Sequence, residues 1–279
     1  MRREWYKKGR ELVHEMESTQ VSEDEVAIWY LGQCGFAIKG KKVIFIDVVF
    51  NDIFDDAGNS LRCYEPPFGV GEVCADYVLC THEHIDHMAK DTIIGLHKSN
   101  QNTVFIVPGS CKEQMLQWGL SSERIIELDT SESVELEDVT IRGISTAHPV
   151  HRTDANGKAW SLAYDMEVNG IHLLHMGDTY ITDELLDTVK GMGTPNVLMV
   201  PINGGDYYRE RNEIIGNMSA GEAAIFATDI AADLTIPMHY DMIKGNTCNP
   251  LHFVESLWER DTSKKFVLPA LGEAVIYKK

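Results

Sequence analysis

Three histidines and an aspartate fall together in Thr81-His82-Glu83-His84-Ile85-Asp86-His87, directly after the strand-like run Tyr77-Val78-Leu79-Cys80. With 11 histidines in 279 residues, chance yields this HxHxDH spacing in about one chain in a thousand. Residues two apart on an extended segment face the same side, so His82 and His84 can grip one cation. A helix starting just beyond them would swing Asp86 and His87 towards a second. Imidazole with carboxylate suits zinc or manganese, with iron also compatible. An ion with an open coordination position lowers the pKa of water from ~15.7 to about 7 and so opens hydrolytic chemistry.

A two-ion site needs further ligands, and three residues stand where a strand end would present them. His148 follows Ile141 to Thr146, Asp178 follows Ile171 to Gly177, and His239 follows Thr235 to Met238. Singly, each reads equally well as a core-edge histidine or a helix N-cap aspartate. Beside HxHxDH, the ligand reading is the stronger one.

The elements that would position these residues alternate between β and α patterns. Residues 1–20 read as an amphipathic helix, with Trp5, Leu12, Val13 and Met16 at helical spacing. Ala27 to Leu31, Phe36 to Ile38 and Val43 to Ile46 read as strands, the last two a hairpin about Lys39-Gly40-Lys41-Lys42. Residues 51–73 show no periodicity, and a connection of that length is usually functional. Strand and helix patterns then alternate, including a hairpin turning at Asn169-Gly170. Nothing marks a linker or a repeat, so the expectation is one α/β domain over 1–279.

Composition narrows the class. The chain has 43 Asp plus Glu against 25 Lys plus Arg, a formal charge of −18. Such a surface opposes non-specific binding to nucleic acid or anionic lipid, so neither is expected as a partner. The N-terminus is charged rather than apolar, and the six cysteines are scattered without a CxxC pair. Together these point to a cytoplasmic protein with reduced thiols. A homo-oligomer is compatible with the sequence.

The five ligand-bearing segments, in this order, resemble the metallo-β-lactamase-fold hydrolases. The resemblance implies an αββα fold, two β-sheets flanked by helices, with the site at one edge between the sheets. It also implies two divalent ions per chain: His82, His84 and His148 on the first, Asp86, His87 and His239 on the second, and Asp178 bridging. Ile28 to Phe36, Ser121-Ser122-Glu123-Arg124 and Ile236-Pro237-Met238-His239-Tyr240-Asp241 are similar to the L-ascorbate-6-phosphate lactonase branch, whose members open the lactone of a phosphorylated sugar acid.

The function expected is therefore hydrolysis of a lactone or ester of a small anionic substrate by metal-bound hydroxide, with Asp86 as catalytic proton acceptor. The alternatives are a metal-dependent phosphodiesterase, since the same nucleophile can attack phosphorus, and a non-catalytic metal-binding module. The stretch from Asn203 through Tyr207 to Arg209 and Arg211 is the expected anion clamp, because it sets two planar guanidinium forks after a Gly-Gly turn. Cys80 and Cys248 are not expected to ligate a metal.

Overall fold

Alternation within single strands decides how the layers stack. In β1 (Glu25–Gly32), Val26, Ile28 and Tyr30 enter one buried cluster while Ala27, Trp29 and Leu31 enter another. A strand buried on both faces lies between two apolar layers. The computed structural model, which describes residues 4–279, is built on this rule.

The first sheet continues with β2 (Gly35–Lys39), β3 (Val43–Ile46), β4 (Tyr77–Leu79), β5 (Val104–Val107) and β6 (Ile125–Glu127). The second holds β7 (Ser133–Glu135), β8 (Val139–Ser145), β9 (Leu162–Val168), β10 (Ile171–His175), β11 (Val197–Pro201), β12 (Leu234–Met238) and β13 (Lys265–Phe266). The final strand, β14 (Ala274–Lys278), returns to the first sheet and pairs antiparallel with β1. Strand orders are β14-β1-β2-β3-β4-β5-β6 and β13-β12-β11-β10-β9-β8-β7. In each sheet one half is antiparallel and the other parallel.

Between the sheets, Ile28, Phe36, Ile44 and Ile106 meet Ile141, Tyr164, Leu173 and Val200 in one core. Helices α1 (Gly9–Ser18), α2 (Lys90–Ser99) and α3 (Gly109–Gln117) cover the outside of the first sheet through Leu12, Ile93, Leu96 and Met115. Beyond them come α4 (Asp183–Met192), the short α5 (Tyr207–Arg211), α6 (Ala220–Asp229) and α7 (Leu251–Arg260). Phe226 of α6 and Phe253 and Leu257 of α7 are buried with the second sheet. The order is helix, sheet, sheet, helix. No helix among the described residues is long and apolar enough to cross a membrane.

The N-terminal helix is shorter than its periodicity suggests. It begins at Gly9, and residues 1–3 lie outside the described residues. Tertiary bonds hold the preceding segment instead: the Trp5 indole donates to the Glu65 carbonyl at 2.8 Å and the Tyr6 amide to the Leu271 carbonyl at 2.8 Å. The hairpins at 39–42 and Asn169-Gly170 form as their turn residues predict, Asn169 and Gly170 both adopting positive φ.

Two stability measurements follow. A β-carbon on Gly32, whose φ is +88°, would lie 2.1 Å from the Tyr64 hydroxyl, itself bonded to Asp241. Gly32→Ala should therefore lower stability by about 1–3 kcal/mol in urea unfolding, through overpacking at a backbone angle alanine resists. Across β9 and β10, His172 pairs with Asp165, and that hydrogen bond outweighs partial burial to raise the imidazole pKa above its usual value. A raised folded-state pKa stabilises below the unfolded value of about 6.5 and loses that contribution as pH rises through the folded one. His172→Gln should thus lower the urea midpoint at pH 5.5 and leave it nearly unchanged at pH 9.

Candidate metal centre

Strand ends bring the chemistry together. Asp47 follows β3, His82 follows β4, Asp178 follows the end of β10, and His239 follows β12 directly. Gln33 and Cys34 occupy the tight turn between β1 and β2, while His148 lies beyond β8. The HxHxDH segment itself is a turn, not the start of a helix. The amides of His87 and Met88 both donate to the His84 carbonyl, and α2 begins only at Lys90. That turn, rather than helical pitch, reverses the chain and carries His87 inward.

His82, His84, His148 and Asp178 form one group, with a ligand atom of each within 4.8 Å of all the others. His84 Nδ1 lies 2.9 Å from His82 Nε2 and 3.3 Å from His148 Nε2, and Asp178 Oδ2 stands 3.5 Å from His148 Nε2. Burial presses the His82 pKa well below its usual value, and presses that of His148 down to about 4. Both imidazoles are therefore neutral, the form that ligates metal.

Cys34, His87, Asp178 and His239 form the second group within the same limit. Asp178 Oδ1 is 3.3 Å from His87 Nε2 and its Oδ2 is 3.1 Å from His239 Nε2, so this one carboxylate serves both groups. Asp86 sits alongside, its Oδ2 3.6 Å from His239 Nε2 and 3.8 Å from His87 Nε2. The Gln33 side-chain amide donates to that same oxygen at 2.7 Å and rests against the His239 ring.

The residues fit divalent cations. His87 Nε2 is buried without a hydrogen-bond partner and is directed at Asp178. Its other nitrogen lies 2.8 Å from Asp47 Oδ2, an outer carboxylate that fixes the ring orientation as metal-bound histidines require. Burial alone would lower the pKa of His87 and His239, yet the neighbouring carboxylates, Asp178 foremost, raise both. The pocket thus favours positive charge at this point, and a metal ion supplies it without protonating its ligands.

Residues outside the motif hold these groups in place. The Asp47 carboxylate accepts the Thr81 amide at 2.8 Å and the Thr81 hydroxyl at 2.7 Å, tying β3 to the HxHxDH turn. His175 Nε2 lies 2.9 Å from the Cys34 carbonyl, and its Nδ1 accepts the Gly177 amide at 3.2 Å. The Asp241 carboxylate accepts the Gln33 amide and the Tyr64 hydroxyl, while the Gln33 carbonyl accepts the His239 amide. Gly177, at φ +57°, brings its backbone so near Thr81 that a β-carbon would approach that side chain to 2.9 Å.

Above the two groups opens a pocket of about 220 Å³ that reaches His84, Asp86, His148, Asp178 and His239. The loop expected to clamp an anion does not line it. Arg209 is buried and bonds Asp206, Asn246 and the Thr247 carbonyl, so its guanidinium is used internally. Arg211 is exposed, with the Tyr207 hydroxyl as its partner, and Tyr207 is itself 76% exposed. Asn203 is buried against Asn217 and Asn246. The element buttresses Asn246, which does line the pocket.

Comparison with known proteins agrees with this geometry. The β-lactamase superfamily domain matches residues 42–240, well over half of the chain. The chain belongs to the β-lactamase superfamily. A UPF0173 protein of Pyrococcus abyssi is 27% identical, over 79% of this chain and 85% of the relative. The "Probable L-ascorbate-6-phosphate lactonase UlaG" of Salmonella heidelberg is 23% identical, over 92% of this chain and 80% of its own. Among solved structures, Igni18, a metallo hydrolase of Ignicoccus hospitalis, superposes with a TM-score of 0.68 at 18% identity, over 91% of this chain and 99% of that one. A likeness at that identity speaks to the fold.

Within this superfamily member, sequence reasoning missed Gln33, Cys34, Asp47 and His175. Cys34 donates weakly to Asp178 Oδ1 at 3.8 Å, whereas the cysteines weighed from sequence were Cys80 and Cys248. A signal for Asp47 existed: an isolated carboxylate ends the apolar run Val43-Ile44-Phe45-Ile46. The expected metal content is about two ions per chain after loading with zinc or manganese. His82→Ala and His239→Ala should each remove about one, measured by elemental analysis. Full retention by both variants would disprove the assignment.

Proposed function

We propose that the chain is a binuclear metal-dependent hydrolase acting on an ester or lactone. The observation that carries this reading is Asp178, shared by two compact ligand groups, with Asp86 beside them on the pocket wall. Ions bound there would supply Lewis acidity and a water acidified towards neutral pH. What remains for the protein is to hold a carbonyl over the site and to move one proton.

Asp86 suits the proton step. Burial works against its charge, but His87 and His239 hold its pKa below the usual carboxylate value, so it stands ionised. Its anchoring by Gln33 keeps one oxygen fixed while the side chain lines the pocket. As the water oxygen bonds to the carbonyl carbon, Asp86 takes the water proton. It returns that proton to the alkoxide as the carbon–oxygen bond breaks, so ester plus water becomes acid plus alcohol. Among the described residues lining the pocket there is no lysine or arginine, which favours a carbonyl centre over a phosphodiester.

Asp86→Asn tests the assignment. An amide oxygen keeps the shape and the polar contact but takes no proton at neutral pH. Turnover on a cleaved ester should fall by ~10²–10⁴-fold, while elemental analysis shows most of the metal retained. Near wild-type turnover would remove Asp86 from the proton path.

A further inference from the structure

The pocket wall outside the ligand groups is aliphatic, and its residues come from separate parts of the chain. Ile53 and Leu61 belong to the long connection after β3, Ile214 and Ile215 follow α5, Ile243 follows β12, and Ile85 sits inside the HxHxDH turn. Ile85 is 56% exposed, a large apolar side chain kept at the mouth between two ligands. Ile214, Ile215, Leu61 and Ile243 are half-buried and line the cavity. Segments this distant in sequence share no local reason to be apolar at the same spot. Substrate pockets combine such lining with a few polar groups that do the chemistry.

Charge points the same way. Asp47, Asp86 and Asp178 stand at the ligand groups, and Glu213 is the exposed carboxylate of the wall. These four carboxylates match the charge that two divalent ions bring, so the loaded pocket offers no excess positive charge to an anion. The remaining polar group of the wall, Asn246, already accepts from Asn203 and Arg209 through its side-chain oxygen. The volume of about 220 Å³ lies below the ~300 Å³ at which ordinary ligand pockets begin, which suits an acyl group of a few carbons.

Resting on the hydrolase reading above, we infer that the substrates are uncharged esters or lactones with a short apolar acyl group. The isoleucine wall takes the chain and Glu213 disfavours anions.

Acyl hydroxamates bind metal without being hydrolysed as esters are, so they read the pocket separately from turnover. Calorimetry on zinc-loaded protein would compare acetohydroxamate, butyrohydroxamate and the hydroxamate of succinic acid, whose free carboxylate replaces the chain end. Burial of each methylene is worth about fourfold in affinity, so the butyryl compound should bind roughly 15-fold tighter than the acetyl one. The succinyl compound should bind at least tenfold more weakly than the butyryl, and Glu213→Lys should narrow that gap several-fold. Equal binding of all three, or tighter binding of the succinyl compound, overturns the inference. Nitrophenyl butyrate and hemisuccinate then separate the two claims. Turnover of both at similar kcat/KM overturns the selectivity and leaves a hydrolase. A binding preference without turnover of any ester overturns the hydrolase reading and leaves the apolar pocket.

Discussion

Imidazoles and carboxylates gathered inside a protein are tolerable only if something answers their charge. Isolated buried ions cost several kcal/mol each, and a pair repays that only when its geometry is good. Here the arrangement turns on one side chain, Asp178, 3% exposed and placed where the sheets meet, with His87 and His239 against it and His148 just beyond. Those histidines cannot all be protonated, because burial keeps His82 and His148 neutral. Bound cations would answer the carboxylates while leaving the histidines neutral. The surrounding fold can be understood as the set of strands needed to bring these donors to one edge.

The backbone pays locally for that convergence. Gln33, Asp47 and His239 all adopt positive φ, at 57°, 48° and 58°, in a region that non-glycine residues rarely enter. Each such residue costs of order 1 kcal/mol and persists only where its surroundings over-determine it. The hydrogen bonds do so here: Asp47 is held to Thr81 and His87, and Gln33 is held to both Asp241 and His239. Strain at these three turns, each locked by its own hydrogen bonds, places donors before any ion arrives. Less of the binding energy then goes into ordering the protein.

What could be read from sequence follows from range. HxHxDH is local, and its ligands occupy consecutive turns of chain, so spacing alone exposes it. His148, Asp178 and His239 were legible because each follows a strand-like run, and β8, β10 and β12 run the same way in one sheet, so their ends lie on one edge. Cys34 and His175 were not legible. Their roles depend on β1 and β10 lying in different sheets that face each other, a relation that no local pattern encodes. The arginines of 203–211 illustrate the converse error. Two guanidinium groups near a Gly-Gly turn resemble an anion site, but Asp206, three residues before Arg209, caps the short helix and takes the charge. The amphipathic pattern over residues 1–20 likewise counted Trp5 into the helix, whereas its indole finds a partner sixty residues away and the helix starts at Gly9.

Pocket and metal centre draw on different parts of the chain, and this separates reaction from selectivity. The ligands are tied to strand ends and to each other, so they cannot shift without disturbing the core. The aliphatic wall comes largely from connections: the long segment after β3, the stretch following α5, and the turn after β12. Ile85 is the exception, since it lies between two ligands and keeps an apolar group at the mouth wherever the motif goes. Loops tolerate substitution far better than packed strand ends do. A scaffold that fixes its metal-ligating donors through its sheets and shapes the cavity through its loops can therefore keep one centre while the molecule the cavity accepts changes with the loops.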